Sequence, residues 1–526
     1  MITMRNYIKY AAVLALGLVA CEPEFDESVE DDKVYDQGSA DFSNYVAVGN
    51  SLTAGYADNA LYVSGQKNSY PNILAQQFER VGGGDFTQPL MNDNLGGLLL
   101  QGDQIANNRL TLSVVNGAPA PTPISGTPTT EISNTLTGSF NNMGVPGAKS
   151  YHLMAPGYGN VDGLGTNPAS ANPYFVRFRS SAEATVLGDA VAQNPTFFSL
   201  WIGNNDVLGY ASAGGAGVSQ QGNLDPATYG SNDITDTNVF ASIYSQEVDA
   251  LLGSASAGVV LNIPNVTSTP YFNTVPFNPL SPATLGDQIP TLNATYAQLN
   301  QAFAFLGVPE RSIQFSTTGA SGIVVQDESL ANISAQLTQV LVAGGLDPQT
   351  AAIYGAQYGQ ARQANENDLL VLPSSSVIGT LNEDRLAELV GVGVPQEIAG
   401  QLAVNGVTYP MQDQFVLIPS EQEEVATATA AFNQIIESIA ADKGLAFVDA
   451  NAILERVATS GISFDGGSIT GEFATGGAFS LDGIHLTPRG YAFIANEIIK
   501  SINTTYNATI PSVNIGDYSG DPSLGD

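Results

Sequence analysis

Residues 44–56 read NYVAVGNSLTAGY, a short apolar run that stops at Gly49-Asn50-Ser51. Tyr45, Val46 and Val48 fit a buried strand, and Gly-Asn-Ser supplies a tight turn at its end. A side chain on such a turn stands at the carboxyl edge of a sheet, where open α/β folds place their ligands. Ser51 is therefore either a nucleophile presented by a strand or one more turn serine in a glycine-rich chain. The remaining sequence has to decide.

Similar apolar runs recur at 197–203 (FFSLWIG), 258–263 (GVVLNI) and 445–450 (LAFVDA), each bounded by glycine, proline or polar turns. Short runs of this kind suit central parallel strands covered on both faces. Between them lie helical patterns. In 421–443, Phe432, Ile435, Ile436, Ile439 and Ala440 mark one face, Gly444 supplies the stop, and Ser420 is placed to cap the start. After Gly490, the residues Phe493, Ile494, Ile498 and Ile502 repeat by the same rule. Strands alternating with helices predict a layered, doubly wound α/β fold with a central, mostly parallel sheet. Two stretches exceed a minimal domain: an elaborated loop or hairpin at 95–140, and a long interruption at 275–420 that predicts a cap or subdomain.

Composition narrows the class. The 526-residue chain is 43% hydrophobic and 13% charged, which describes a globular chain with an adequate core. Sixteen basic against fifty acidic side chains give a formal charge of −34, a surface that repels phosphate backbones and excludes nucleic acid as a partner. At the start, Arg5 and Lys9 precede a short apolar run and then Leu18-Val19-Ala20-Cys21, the layout of an export signal too short to span a bilayer as a mature helix. LVAC resembles the lipobox of bacterial lipoproteins, which implies that Cys21, the sole cysteine, is lipidated after removal of residues 1–20. Removing Arg5 and Lys9 with the signal would take the charge from −34 to −36. The acidic stretch 21–40 reads as a solvated tether. An acidic run behind a lipidated cysteine resembles the export signal of some surface-exposed lipoproteins. The expected location is the cell envelope, at the outer membrane and on its surface or its periplasmic side.

A serine nucleophile requires a base, a group to orient it and donors for an oxyanion. The chain has only two histidines, His152 and His485. His485 sits in SLDGIHLTPRGY, with Asp482 three residues upstream and Gly483 between them, so the carboxylate can fold back onto the ring. His152 has no carboxylate close by in sequence and reads as a structural or substrate-rim residue. The turn NNMGVPGA (141–148) can present a backbone N–H, and WIGNND (201–206) an asparagine amide. No Gly-x-Ser-x-Gly occurs, so the nucleophile elbow of the α/β-hydrolases is absent. Scattered histidines and one cysteine predict no metal, and neither zinc nor EF-hand spacing is present.

GNSLTAG, NMGVPGA, GNND and DGIH resemble, in order, the four sequence blocks of the SGNH (GDSL-type) esterase and lipase family. The resemblance implies a three-layer α/β/α, flavodoxin-like SGNH-hydrolase domain over 41–505, interrupted at 275–420 and followed by an extended tail at 506–526. It implies that Ser51 is the nucleophile, His485 the base and Asp482 its orienting carboxylate. The oxyanion donors would be the N–H of Ser51, the N–H of Gly147 (five residues after Asn142) and the side-chain amide of Asn205. Asn50, Gly203 and Asp206 would support these loops. Asn50 departs from the family's usual aspartate. The implied activity is hydrolysis of a lipid or other acyl ester through an acyl-enzyme, without a cofactor. A carbohydrate acetylesterase and a non-catalytic binding lipoprotein that kept the fold are the competing readings. The apolar stretches LVAGG (341–345) and DLLVLP (368–373) are expected either to line an acyl-binding cap or to form the interruption's own core. No protein partner is identified.

Overall fold

The computed structural model describes residues 35–115, 117–166 and 168–522. The export signal, Cys21, residues 21–34 of the tether and the last residues of the tail lie outside the described residues.

Five strands form the central sheet: β1 (Tyr45–Gly49), β2 (Asn142–Gly144), β3 (Phe197–Trp201), β4 (Ala257–Leu261) and β5 (Ala446–Val448). Their order is β5-β4-β3-β1-β2 and every pair is parallel. Alternation along each strand feeds two separate cores. Tyr45, Ala47, Phe197, Trp201, Val259 and Leu261 face one; Val46, Val48, Phe198, Leu200 and Val260 face the other. The strands therefore read as unbroken apolar runs because both faces are covered.

The short helix α1 (Ser51–Ala54) follows β1 directly, and α2 (Tyr70–Phe78) packs Tyr70, Ile73 and Leu74 into the first core. Behind β3 come α3 (Asn205–Ser212) and α4 (Thr237–Leu252). The long α5 (Pro419–Lys443) joins α4 over the second core, where Phe240 and Phe432 stack at 4.2 Å. The first core is closed by α6 (Ala450–Thr459) and α7 (Pro488–Tyr506). Fully burying a phenylalanine stabilises by about 1.5–3 kcal/mol. Phe197 and Phe198, adjacent and on opposite faces, hold both layers to one strand.

Helix α5 ends as expected, with Gly444 in the left-handed region at φ 65°. Its start differs. The helix begins at Pro419, and Glu421 Oε2 accepts the Ile418 N–H at 2.8 Å, so Ser420 lies inside the first turn and is not the cap. Proline tolerates the first helical position because its missing N–H would have no partner there.

Residues 95–140 contain an antiparallel hairpin of Leu110–Val115 with Ala118–Pro123. Residues between Val275 and Ile418 gather a third core of their own around the helices Ile289–Phe305, Ser334–Ala343 and Pro348–Tyr358. Leu341 and Leu370 are buried in that core, so of the two expected uses of LVAGG and DLLVLP, interior packing is the one found. At the far edge of the sheet, the two ends of the described chain pair. The Ser39 N–H donates to Tyr506 O, and the Thr509 N–H donates to Asp36 O, both at 2.9 Å.

Strand order positions the site. The neighbours of β1 are β2 on one side and β3 on the other, so the chain leaving β1 and the chain leaving β3 turn to opposite faces. A crevice opens between those two loops at the carboxyl ends, where doubly wound sheets bind ligands. Ser51 and Asn205 stand at its two lips.

Candidate active site

The turn after β1 leaves no room for a side chain at Gly49: a Cβ there would lie 2.2 Å from Thr53 Oγ1 and 2.3 Å from Trp201 O. Asn50 follows and serves two loops. Its Oδ1 accepts the Leu52 N–H at 3.0 Å, capping α1, and its Nδ2 donates to Asn204 Oδ1 at 3.0 Å. The amide thus does what an aspartate could not, since a carboxylate has no proton for Asn204. Ser51 is the first residue of α1, and its N–H has no acceptor among the described residues.

The loop between Ala478 and Thr487 brings its base to this serine. Ser51 Oγ lies 2.8 Å from His485 Nε2, and His485 Nδ1 lies 2.9 Å from Asp482 Oδ2. An ionised Asp482 accepts only, so Nδ1 carries the proton and Nε2 is left to accept from the hydroxyl. Asp482 also receives N–H bonds from Ile484 and His485 on Oδ1, each 2.8 Å, and from Asn59 on Oδ2 at 2.9 Å. Burial acts to raise its pKa, but the adjacent imidazole and these hydrogen bonds outweigh it and hold the carboxyl well below the usual range. The reversal depends on Gly483, at φ 74°, where a Cβ would sit 2.9 Å from the Tyr271 N. Tyr56 closes one side, with its ring 4.6 Å from the imidazole.

Sequence reasoning missed the receiving loop. Asp58 and Asn59 are consecutive left-handed residues, at φ 52° and 62°. Asp58 accepts the Leu481 N–H at 3.1 Å and the Tyr62 hydroxyl at 2.8 Å, while its own N–H donates to Ser480 Oγ at 2.9 Å. An Asp-Asn pair is the signal that was available, because these residues tolerate αL better than others. The loop fixes residues 480–482 against the chain that carries Ser51.

On the other lip, Gly203 has φ 109°, and a Cβ there would meet Ile263 and Phe240. Asn205 Nδ2 donates one hydrogen to Ala148 O at 2.8 Å, leaving the second free to point elsewhere. Asp206 is fully buried and accepts from both the N–H (2.9 Å) and the hydroxyl (2.8 Å) of Ser150. Asn205 and Asp206 therefore tie the end of β3 to the turn after β2. That turn is also fastened by Val145 N–H to Gly49 O at 2.9 Å and Asn172 Nδ2 to Pro146 O at 2.8 Å. Gly147 lies at its exposed tip with φ 80°, and its N–H has no acceptor among the described residues.

His152 is elsewhere in chemistry as well as in chain. Its Nδ1 accepts the Lys149 N–H at 3.1 Å, and its ring stacks on Tyr158 at 4.7 Å. Burial, then the Lys149 charge, push its pKa down to about 3. It is a neutral packing element.

A narrow apolar cavity adjoins Ser51 and His485 and was not foreseen. Trp201, Ile453, Leu454, Val457, Phe493 and Ile494 are among its lining residues, as is Asn205. In sequence, Ile453, Leu454 and Val457 show only ordinary helical spacing, indistinguishable from a core stripe. Elsewhere, Glu328, Asp413 and Glu421 bring three carboxylate oxygens within 4.8 Å of one another. Burial and then Glu328 raise Asp413 to about 6, and burial with Glu328 raises Glu421 as well, so protonation relieves the repulsion.

Comparison of the chain with protein-family models, curated proteins and solved structures returned no match.

Proposed function

We propose that this chain is a serine carboxylic ester hydrolase of the SGNH type, acting on lipid or other acyl esters. The observation that carries the reading is the two-bond relay from Ser51 Oγ to His485 Nε2 and from His485 Nδ1 to Asp482, at 2.8 and 2.9 Å. Proximity of this kind in a solvent crevice is what a nucleophile, its base and the base's orienter require.

In the proposed reaction, Ser51 Oγ attacks the acyl carbon and its proton passes to His485 Nε2. The imidazolium is stabilised by Asp482, which stays ionised. The tetrahedral oxyanion is met by the free N–H of Ser51, the N–H of Gly147 and the second amide hydrogen of Asn205. Collapse breaks the ester C–O bond, and the alcohol leaves with the proton from Nε2. Water then gives a proton to the same nitrogen and attacks the acyl-enzyme, releasing the acid and restoring Ser51. A single oxyanion donor contributes about 3 kcal/mol to such a barrier.

The reading extends to a lipid-anchored protein of the cell envelope, supported by LVAC and the acidic stretch behind it. A serine-reactive fluorophosphonate tests the chemistry. Labelling of the wild type that disappears in Ser51→Ala is expected; a folded wild type that neither labels nor hydrolyses nitrophenyl esters would leave a binding lipoprotein instead. Loss of membrane association in Cys21→Ser tests the anchor.

A further inference from the structure

The lining of the cavity beside Ser51 includes Trp201 at the end of β3, Ile453, Leu454 and Val457 on α6, Ala478 and Phe479 before the histidine loop, and Phe493 and Ile494 on α7. Its lining is almost wholly apolar, and each of these side chains is largely buried. The space lies beside α6 and α7 and is bounded on another side by Leu208 and Val266, and both Ser51 and His485 line it. Interiors pack to crystal density, so an apolar void that reaches a nucleophile is an exception with a cost.

Resting on the esterase reading, we infer that this cavity receives the acyl half of the ester, and that Ile453, Val457 and Phe493 set which acyl chains fit. The acyl half suits this space better than the alcohol half. The acyl group stays bonded to Ser51 after the alcohol departs, so it can occupy a dry space without blocking the water that must follow. The alcohol must leave past His485 Nε2 and be replaced by water, which an apolar interior disfavours. Ile453 and Val457 are one turn apart on α6, about 6 Å along its axis, so a chain of several methylenes touches both and an acetyl group does not. Each methylene that enters should improve kcat/KM by up to about fourfold until the cavity is full. The substrate class is then an ester of a medium or longer unbranched fatty acid.

Trp201 is the only tryptophan in the chain and lines the cavity, so its emission reports occupancy without reference to catalysis. A fatty acid brominated along its chain should quench Trp201 in the wild type and in Ser51→Ala, and quench less in Val457→Phe. In nitrophenyl esters, the octanoate-to-acetate ratio of kcat/KM should exceed ten in the wild type. It should fall at least tenfold in Val457→Phe and in Ile453→Phe, while the ratio of octyl acetate to ethyl acetate stays put. Absence of quenching in the wild type overturns the inference, as does a ratio that changes in the alcohol series and not in the acyl series. Quenching without any hydrolysis would keep the cavity as an acyl site and remove the esterase reading.

Discussion

The chain's two histidines occupy opposite electrostatic settings. His485 has a carboxylate on one nitrogen and a hydroxyl on the other, both within 2.9 Å. His152 has a backbone N–H on one nitrogen, a tyrosine face against its ring and a lysine close by. The first ring is held between a carboxylate and a hydroxyl, while burial and then the Lys149 charge keep the second neutral. Burial acts first on His152 and the Lys149 charge second, whereas the nearest charge to His485 is a carboxylate.

That contrast can be broken most sharply at Asp482. Asp482→Asn keeps the shape but removes the charge and the preference for a proton on Nδ1. A loss of about 10⁴-fold in kcat is expected, measured on a nitrophenyl ester. Retention of more than a tenth of the activity would show that the carboxylate does not distinguish the two rings. Next in size, Asn205→Ala deletes a proposed oxyanion donor and also the bond to Ala148, on the segment that continues to His152. A fall of about 10²–10³-fold in kcat is expected, with KM little changed.

A smaller effect is expected at Asn50. Asn50→Ala removes the cap of α1 and the bond to Asn204, and should lower stability by about 1–2 kcal/mol in denaturant titration. Asn50→Asp keeps the cap, and Asn204 can turn its amide to donate, so most of the stability should return.

The smallest effect on turnover belongs to His152→Gln, expected within about twofold of wild type because the new side chain still accepts from Lys149. Its signature is in pH. The pKa of His152 is pushed from 6.5 to about 3 by folding, so the unfolded chain binds the extra proton between those values. The stability tied to a neutral His152 is complete above about pH 6.5 and is lost as the pH falls towards 3. The substitution should flatten that part of the melting-temperature profile. An unchanged profile would place His152 in solvent.

The parts of this design that were legible in sequence are local. NYVAVGNSL reads as a strand and turn because burial on both faces makes an unbroken apolar run, and the turn residues follow at once. DGIH reads as carboxylate and base because Gly483 supplies the reversal within three residues. What was not legible depends on distance along the chain. Nothing near Asp58 and Asn59 announces that they will grip residues 480–482. Ile453 and Val457 look like any core stripe, because a cavity is a property of what fails to fill it. Ser420 with the acids behind it reads as a cap for a helix from 421, but the helix starts two residues earlier, at Pro419. The clustering of Glu328, Asp413 and Glu421 arises only when the interruption folds back on α5.

The pairing of Asp36 and Ser39 with Thr509 and Tyr506 fixes where the body of the protein is entered. Tyr506 also donates its hydroxyl proton to Gly258 O at 2.7 Å, beside the first residue of β4, so this junction lies at the amino edge of the sheet. Ser51 lies at the opposite edge. Under the anchor proposed at Cys21, the attachment would enter the body at the edge remote from the crevice.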